Sequence, residues 1–310
     1  MKRTFALSLL ALLAAIVVAV RPASAEGRES GAPVHRINPR EIGLAPTTGG
    51  TTALSPIVNH GGPVIAAPKI YLIWYGNWNQ ANGSDTPAGQ QIVRDFAGAD
   101  GGSPYFDINQ TYPGVTGAAT FAKETTDAYS RGSRLRDSDI QTIVVSAISS
   151  GRLPYDTDGV YFVLTSSDVA ERSGFCSQYC GWHTAAGASV GHIRYAFVGN
   201  ANRCLSACAA QTVGPNGNAG VDGMVSVIAH ELEEATTDPD LNAWYDNSGA
   251  ENADKCAWTF GHAQYQVSNG AWANMRLGSR DFLIQRNLAH SVSGSNGVGD
   301  YCRVNNAGQN

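Results

Sequence analysis

Apolar residues are concentrated in three short runs that contain many β-branched and aromatic side chains. The runs occupy residues 69–75, 160–164 and 193–198. Uninterrupted apolar runs of this length and composition are typical of strands that are buried on both faces. The sequence therefore predicts three core strands at these positions.

Three other segments, at residues 87–97, 137–149 and 222–237, have apolar residues at helical spacing. The first segment has a proline in its first turn, where a helix tolerates it. The second begins with Asp137-Ser138-Asp139, whose side chains can cap a helix. Because these helices alternate irregularly with the strands, we expect an α+β fold, a mixed sheet with flanking helices. The C-terminal third is rich in turns.

The N-terminal region has the pattern of an export signal. Lys2 and Arg3 precede an apolar stretch at residues 5–20, and Ala23-Ser24-Ala25 offers small residues for signal peptidase. An uncleaved membrane anchor is the alternative, but the stretch is short for a helix that spans a bilayer. The sequence therefore predicts a signal peptide at residues 1–25.

The rest of the chain divides into a leader and a folded domain. Residues 26–56 are rich in Gly, Pro, Thr and Ser and lack hydrophobic periodicity, so we expect an extended or disordered leader. Residues 57–310 then form the domain. After signal cleavage the protein is expected to be secreted, extracellular and free of the membrane.

The charge balance excludes a nucleic acid partner. The chain carries 21 basic and 26 acidic residues, a net charge of -5, and only 15% of its residues are charged. A protein that binds a phosphate backbone needs a basic excess to neutralise it. The same composition excludes a coiled coil and wholesale disorder.

An even number of cysteines in an exported protein indicates disulfides. Two pairs have Cys-x-x-x-Cys spacing, which is also compatible with a zinc site, but thiolates persist poorly outside the cytosol. We therefore expect three disulfides and a disulfide-stabilised fold. The spacing leaves the pairing of the cysteines open, and we choose a disulfide between Cys256 and Cys302 for the C-terminal segment. The six cysteines are Cys176, Cys180, Cys204, Cys208, Cys256 and Cys302.

The segment at 222–237 carries the candidate chemistry. One helical face is apolar, and His230 and Glu234 are four residues apart, so their side chains lie one turn from each other on another face. In the pattern His-Glu-x-x-His, the two histidines bind zinc and the glutamate activates a water molecule. Here Glu234 replaces the second histidine, and a carboxylate is also a zinc ligand. A solvated i,i+4 pair is the alternative. We expect this helix to form the floor of a cleft.

The same stretch resembles the thermolysin-like peptidases in His230-Glu231-Leu232, Thr237-Asp238 and Ser248-Gly249-Ala250-Glu251. The resemblance implies a zincin-like active-site helix, with His230, Glu234 and Glu251 as metal ligands and Glu231 as the catalytic general base. Asp254 is then either a residue that orients His230 or an alternative ligand. An oxyanion stabiliser is also needed, and His183, His192 or a tyrosine are candidates, although structural roles are the simpler interpretation of both histidines.

A second resemblance covers most of the chain, from about His60 to Cys302. The motifs that carry it are Ile73-Trp74-Tyr75-Gly76, Leu164-Thr165-Ser166-Ser167-Asp168-Val169, Gly174-Phe175-Cys176, Cys180-Gly181, His183, Phe197-Val198-Gly199-Asn200 and Val221-Asp222-Gly223-Met224-Val225. In these motifs the chain is similar to the EXORDIUM, or phosphate-induced, protein family. The resemblance implies an extracellular protein, because plant members are associated with the cell wall and linked to growth, without an assigned catalytic activity.

Two functions are compatible with these observations. The first is a secreted zinc-dependent, peptidase-like hydrolase that acts on a peptide or protein substrate through a metal-activated water. The alternative is a non-catalytic extracellular protein that binds a cell-wall polymer or a protein partner.

The Gly187-Ala188-Ser189-Val190-Gly191 match to a serine nucleophile motif is discounted, because a strand is expected after it where that motif requires a helix.

Overall fold

The computed structural model describes residues 56–290 and 301–306, and the predicted signal peptide and almost all of the predicted leader lie outside them. Fifteen strands and four α-helices are present in the described residues. The strands are β1 (Val58–Asn59), β2 (Lys69–Tyr75), β3 (Thr120–Asp127), β4 (Arg134–Leu135), β5 (Gly159–Thr165), β6 (Ala170–Glu171), β7 (Gly181–Ala188), β8 (Gly191–Gly199), β9 (Trp244–Tyr245), β10 (Tyr265–Gln266), β11 (Trp272–Ala273), β12 (Met275–Leu277), β13 (Arg280–Phe282), β14 (Asn287–Ala289) and β15 (Tyr301–Arg303).

A five-stranded mixed sheet forms the centre of the fold. Its strand order is β3-β2-β5-β8-β7. The first four strands are parallel, and β7 pairs antiparallel with β8 at one edge. The remaining strands form two-stranded pairs outside this sheet. The expected α+β class with a mixed sheet and flanking helices is confirmed.

The helices pack on this sheet and on each other. They are α1 (Pro87–Asp100), α2 (Asp137–Ser149), α3 (Leu205–Cys208) and α4 (Ala219–Thr237), with 3₁₀ helices η1 (Phe106–Thr111), η2 (Ala201–Arg203) and η3 (Asp254–Cys256). Helix α1 begins at a side-chain cap from Thr86 followed by Pro87. Helix α4 contacts α1, β7, β8 and η1, so it is the central helix of the molecule.

The three predicted core strands are present as β2, β5 and β8, within two residues of the predicted bounds. Two further strands of the sheet, β3 and β7, were not predicted. Strand β3 is polar and largely exposed, and β7 consists mainly of glycine, alanine and polar residues. Neither strand has an uninterrupted run of large apolar side chains of the kind that marks a buried strand, because Phe121 in β3 and Trp182 in β7 stand alone among small and polar residues. The Gly187–Gly191 segment is the turn of the β7–β8 hairpin, so a serine nucleophile motif is absent there.

All six cysteines form disulfides. The pairs are Cys176–Cys204, Cys180–Cys208 and Cys256–Cys302. The first two join the segment before β7 to the segment around α3, and the third joins η3 to β15. The expectation of three disulfides, including Cys256 to Cys302, is confirmed, and each Cys-x-x-x-Cys pair is linked to the other pair rather than within itself.

In the described ranges, none of the helices combines the length and the apolar composition that crossing a bilayer requires.

Candidate functional site

Helix α4 carries the predicted site and is buried along its whole second half. Asn218 caps its first turn through a bond from the Val221 amide, and Pro239 follows directly after its last cap residue. The predicted apolar face is buried, and the polar face is buried too, with His230 only 3% exposed and Glu231 and Glu234 at 0%. The expected floor of an open cleft is therefore not observed, because other elements cover this face.

The motif residues His230 and Glu234 lie next to each other, as the i,i+4 spacing requires. His230 Nε2 is 3.1 Å from Glu234 Oε1, and it is 3.6 Å from Asp254 Oδ1. The Asp254 amide also donates to Glu234 Oε1 at 3.0 Å. Helix α4 and the start of η3 thus bring His230, Glu234 and Asp254 together.

Strand β7 supplies a second histidine from the sheet edge. His183 Nε2 hydrogen-bonds Glu251 Oε2 at 2.9 Å and lies 3.9 Å from Glu234 Oε2. The approach of β7 to α4 depends on Gly181, because a Cβ there would lie 2.6 Å from Val227 and 2.9 Å from the Glu231 carboxylate. From the sequence, His183 is one of several candidates for the oxyanion stabiliser, and its position in an unpredicted strand conceals its place in the cluster.

The loop before η3 fixes the acidic residues of the cluster. The Asp246 carboxylate accepts hydrogen bonds from the Ser248 and Ala250 amides at 2.8 and 3.0 Å and forms an ion pair with Lys255. This loop leads directly to Glu251, whose amide donates to Asp254 Oδ2 at 3.2 Å. A closed turn therefore presents both acidic side chains to the histidines.

The cluster has more acidic than basic groups in a buried environment. Burial raises the pKa of Glu234 well above its ordinary value, and the charges of Asp254 and Glu251 raise it further, while His230 opposes this shift. Glu234 Oε2 accepts no hydrogen bond from the described residues. A buried carboxylate oxygen without a donor is costly unless a cation compensates its charge.

Two overlapping sets of three side chains have the spacing of metal ligands. His230, Glu234 and Asp254 form one set and His183, Glu231 and Glu234 form the other, with the ligand atoms of each set within 4.8 Å of one another. Nitrogen and carboxylate oxygen donors suit zinc. Asp254 Oδ1 lies 3.6 Å from His230 Nε2, a position compatible with both roles that the resemblance left open for it, whereas Glu251 is hydrogen-bonded to His183. The roles of all these residues as ligands or base stay predictions.

His192 lies outside this cluster. Its ring bonds Asp240 at 2.8 Å, and its side chain is half exposed. Arg194 bonds the same carboxylate, so His192 belongs to a surface ion-pair group.

The fold and the site define an α+β, disulfide-bonded protein whose central helix presents histidine and carboxylate side chains to a buried cluster. The chain belongs to the phosphate-induced protein 1, or EXORDIUM, family. The family model described as "Phosphate-induced protein 1 conserved region" matches residues 57–277. That range contains β1 to β12 and every residue of the cluster.

Several plant proteins are similar to the chain over most of its length. Protein EXORDIUM-like 3 of Arabidopsis thaliana is 32% identical over 83% of this chain and 86% of its own length. Protein EXORDIUM-like 5 of the same plant is 33% identical over 81% of this chain and 80% of its own length. Protein PHOSPHATE-INDUCED 1 of Nicotiana tabacum is 28% identical over 74% and 78%, respectively. No solved structure matches the chain.

Proposed function

We propose that the chain is an extracellular, zinc-dependent, peptidase-like hydrolase. The observation that carries the proposal is the close approach of the His230, Glu234 and Asp254 side chains. The Glu234 carboxylate is fully buried, and one of its oxygens accepts no hydrogen bond from the described residues. The three disulfides support an oxidising, extracellular location.

The donor set fits zinc. One imidazole nitrogen and two carboxylate oxygens are donors of the types and the number that catalytic zinc sites take from the protein. Glu234 bears two of the contacts that orient the set, because its Oε1 faces His230 and accepts from the Asp254 amide. Thus His230, Glu234 and Asp254 would hold the ion.

Glu231 would transfer the protons of the reaction, and His183 would stabilise the negative charge that develops on the substrate. When bound, zinc supplies a Lewis acid that lowers the pKa of a water molecule to about 7. The Glu231 carboxylate, grouped with His183 and Glu234, accepts a proton from the attacking water and returns it to the leaving amine. The imidazole of His183, oriented by Glu251, stabilises negative charge on the carbonyl oxygen of a peptide substrate.

The test is metal content by mass spectrometry, on protein purified without a metal-affinity tag, together with hydrolysis of a peptide panel. We expect near-stoichiometric zinc in the wild type and in Glu231→Gln, and none in His230→Ala. Hydrolysis should fall roughly 10²–10⁴-fold in Glu231→Gln, because a general base contributes about that much. His192→Ala is the matched histidine control and should retain zinc. Protein that stays zinc-free after incubation with zinc, or full activity in Glu231→Gln, contradicts the proposal.

The burial of the motif supports a second candidate, a non-catalytic extracellular protein that binds a cell-wall polymer or a protein partner. His230, Glu231 and Glu234 have almost no exposed surface, and a substrate has to reach such groups before they can act on it. Sedimentation with insoluble polysaccharides tests this candidate. Retention on one polymer, unchanged in His230→Ala, supports it, and absence of retention on any polymer counts against the polymer form.

A further inference from the structure

The pair of strands β4 and β6 has one face toward the interior and one face toward solvent. The two strands are parallel, with Arg134 beside Ala170 and Leu135 beside Glu171. Leu135 is fully buried, and Glu171 is 5% exposed. Because side chains alternate between the two faces of a strand, the residues on either side of Leu135 and Glu171 point outward.

The outward side of this pair carries three arginines. The Arg172 amide donates to the Leu135 carbonyl oxygen at 3.0 Å, so the pairing of the two strands continues by one residue. Arg136 keeps an extended backbone, with φ -119° and ψ 163°, before α2 begins. Arg134, Arg136 and Arg172 are therefore neighbours on one surface, and all three are exposed. We call this surface the arginine face.

The positive charge of the arginine face is unbalanced. In the part of the chain that the structure describes, none of its three arginines forms an ion pair. The two acids of the same segments, Asp137 and Glu171, lie instead within hydrogen-bond distance of the Ser173 hydroxyl, at 2.5 and 2.9 Å. The chain as a whole has a net charge of -5, so this face is opposite in sign to the molecule.

The loop that leads into β4 is held in place by buried groups. Tyr75 is fully buried, and its phenol oxygen accepts from the Arg131 amide at 2.8 Å and donates to the Gly132 carbonyl oxygen at 2.7 Å. The Ser130 amide donates to Asp127 Oδ1 at 2.8 Å. A surface that is ordered before it binds a partner loses less conformational entropy on binding.

We infer that the arginine face binds an acidic polysaccharide, whose repeating carboxylates pair with Arg134, Arg136 and Arg172. A guanidinium group binds a carboxylate through two parallel hydrogen bonds. The Cα atoms of Arg134 and Arg136 are about 7 Å apart along one strand, and the neighbouring strand with Arg172 lies about 5 Å away. Charges held at such fixed spacing suit a polymer that repeats its own charge.

Other anionic partners fit this face less well. The three disulfides support an extracellular location, and the anionic lipids that attract basic segments are in the cytoplasmic leaflet. The large apolar side chains that are exposed in the described residues all lie outside β4 and β6, so the face lacks the apolar anchor of a membrane-binding surface. A flexible acidic peptide loses more conformational entropy on binding than a stiff sugar chain does.

The inference rests on the second candidate function, for which it names a surface and a polymer chemistry, and it does not depend on the zinc site. The test is isothermal titration of the full chain with polygalacturonate. Arg134→Ala, Arg136→Ala and Arg172→Ala should each weaken binding by about 2–5-fold, and the triple variant by roughly 10–100-fold, because exposed ion pairs contribute modestly. Added salt should also weaken binding, since it screens exposed charges.

The matched probe is fully methyl-esterified polygalacturonate, the same polymer without its charges, which should not bind. Arg276→Ala is the matched control variant, because it removes the charge of a side chain that is 62% exposed and lies on β12. It should keep the affinity of the wild type for polygalacturonate. His230→Ala should keep it too, so a failure of this inference is distinguishable from a failure of the zinc site. Thermal unfolding should show an unchanged Tm for the arginine variants, because their side chains are exposed.

Three results would overturn the inference. The first is a wild type that does not bind polygalacturonate, or a triple variant that binds it as tightly as the wild type. The second is an equal affinity for polyglutamate, which would identify an acidic polypeptide as the partner. The third is retention on a neutral polysaccharide that survives the triple substitution. That result would leave the second candidate function standing and assign it to a different surface.

Discussion

Glu234 occupies the position at which the peptidases that the motif resembles have a second histidine. The carboxylate has two oxygens, and it uses them on different sides: Oε1 faces His230 and the Asp254 amide, and Oε2 faces His183. A neutral imidazole at this position has a single acceptor nitrogen, whereas both oxygens of the carboxylate accept. The replacement therefore lets one residue connect α4, η3 and β7.

The third ligand of the proposed zinc site can be decided by one pair of substitutions. Asp254→Ala should weaken zinc binding by more than about 100-fold, because Asp254 Oδ1 lies beside His230. Glu251→Ala should weaken it by about 10–100-fold at most, since Glu251 acts through His183. Competition titration with a zinc chelator measures both affinities.

The reverse order of the two affinities would restore Glu251 as the ligand, as the sequence resemblance implied. Asp240→Ala is a suitable control, because Asp240 bonds surface residues and lies outside the cluster. Its zinc affinity should equal that of the wild type.

At the scale of elements, the loop between β9 and η3 is held by a single carboxylate. Burial alone would raise the pKa of Asp246, but hydrogen bonds from Lys255, Ser248 and Ala250 lower it to about 2. The ionised form is therefore the one that closes the turn and fixes Glu251 and Asp254.

This shift gives the stability of the loop a defined pH dependence. A depressed folded-state pKa stabilises the protein above the ordinary value of 3.8 and loses that contribution as the pH falls toward 2. Asp246→Asn should thus cost most near about pH 6 and progressively less between about pH 4 and pH 2. Urea unfolding at these pH values measures the difference.

Lys255→Met is the companion variant, because it removes the partner and keeps the carboxylate. It should reduce the pH dependence over the same window. If the free energies of unfolding of the wild type and Asp246→Asn differed by the same amount at all pH values, Asp246 would stabilise the loop through its hydrogen-bonding geometry rather than through its charge.

The elements differ in how well the sequence predicts them. Strands β2, β5 and β8 and helix α4 follow from local patterns, because their apolar side chains face a core on one or more sides. Strand β7 does not, since its place is set by pairing with β8 and by the lack of a side chain at Gly181. The residues of the candidate cluster differ in the same way. The sequence predicts the α4 residues and both acidic candidates after α4, whereas the proximity of His183 depends on the tertiary fold.

For the whole molecule, the disulfides connect regions that the sheet does not. Cys256–Cys302 closes a loop over a sequence separation of 46 and attaches β15 to η3, which carries Asp254. Cys176–Cys204 closes a loop over a separation of 28 that contains β7 and β8. Loops of these lengths contribute about 3–4 kcal/mol each in the chain-entropy model.

Replacing Cys256 and Cys302 together with serine should lower the free energy of unfolding by about 4 kcal/mol. The same change should weaken zinc binding, because Asp254 lies two residues before Cys256. Replacement of Cys176 and Cys204 is the matched control, with a comparable loss of stability and a smaller loss of zinc affinity. Denaturant unfolding and chelator competition measure the two effects, and equal losses of affinity would contradict a local role for Cys256–Cys302.

The burial of His230 and Glu234 also sets the time over which an ion can enter or leave. At most 3% of either residue is exposed, so these two side chains have almost no direct contact with solvent. Exchange then requires a local opening of the structure, and its rate is the rate of that opening. A stronger chelator would therefore remove zinc no faster than a weaker one. The half-life of the bound ion would then measure how often this part of the protein opens locally.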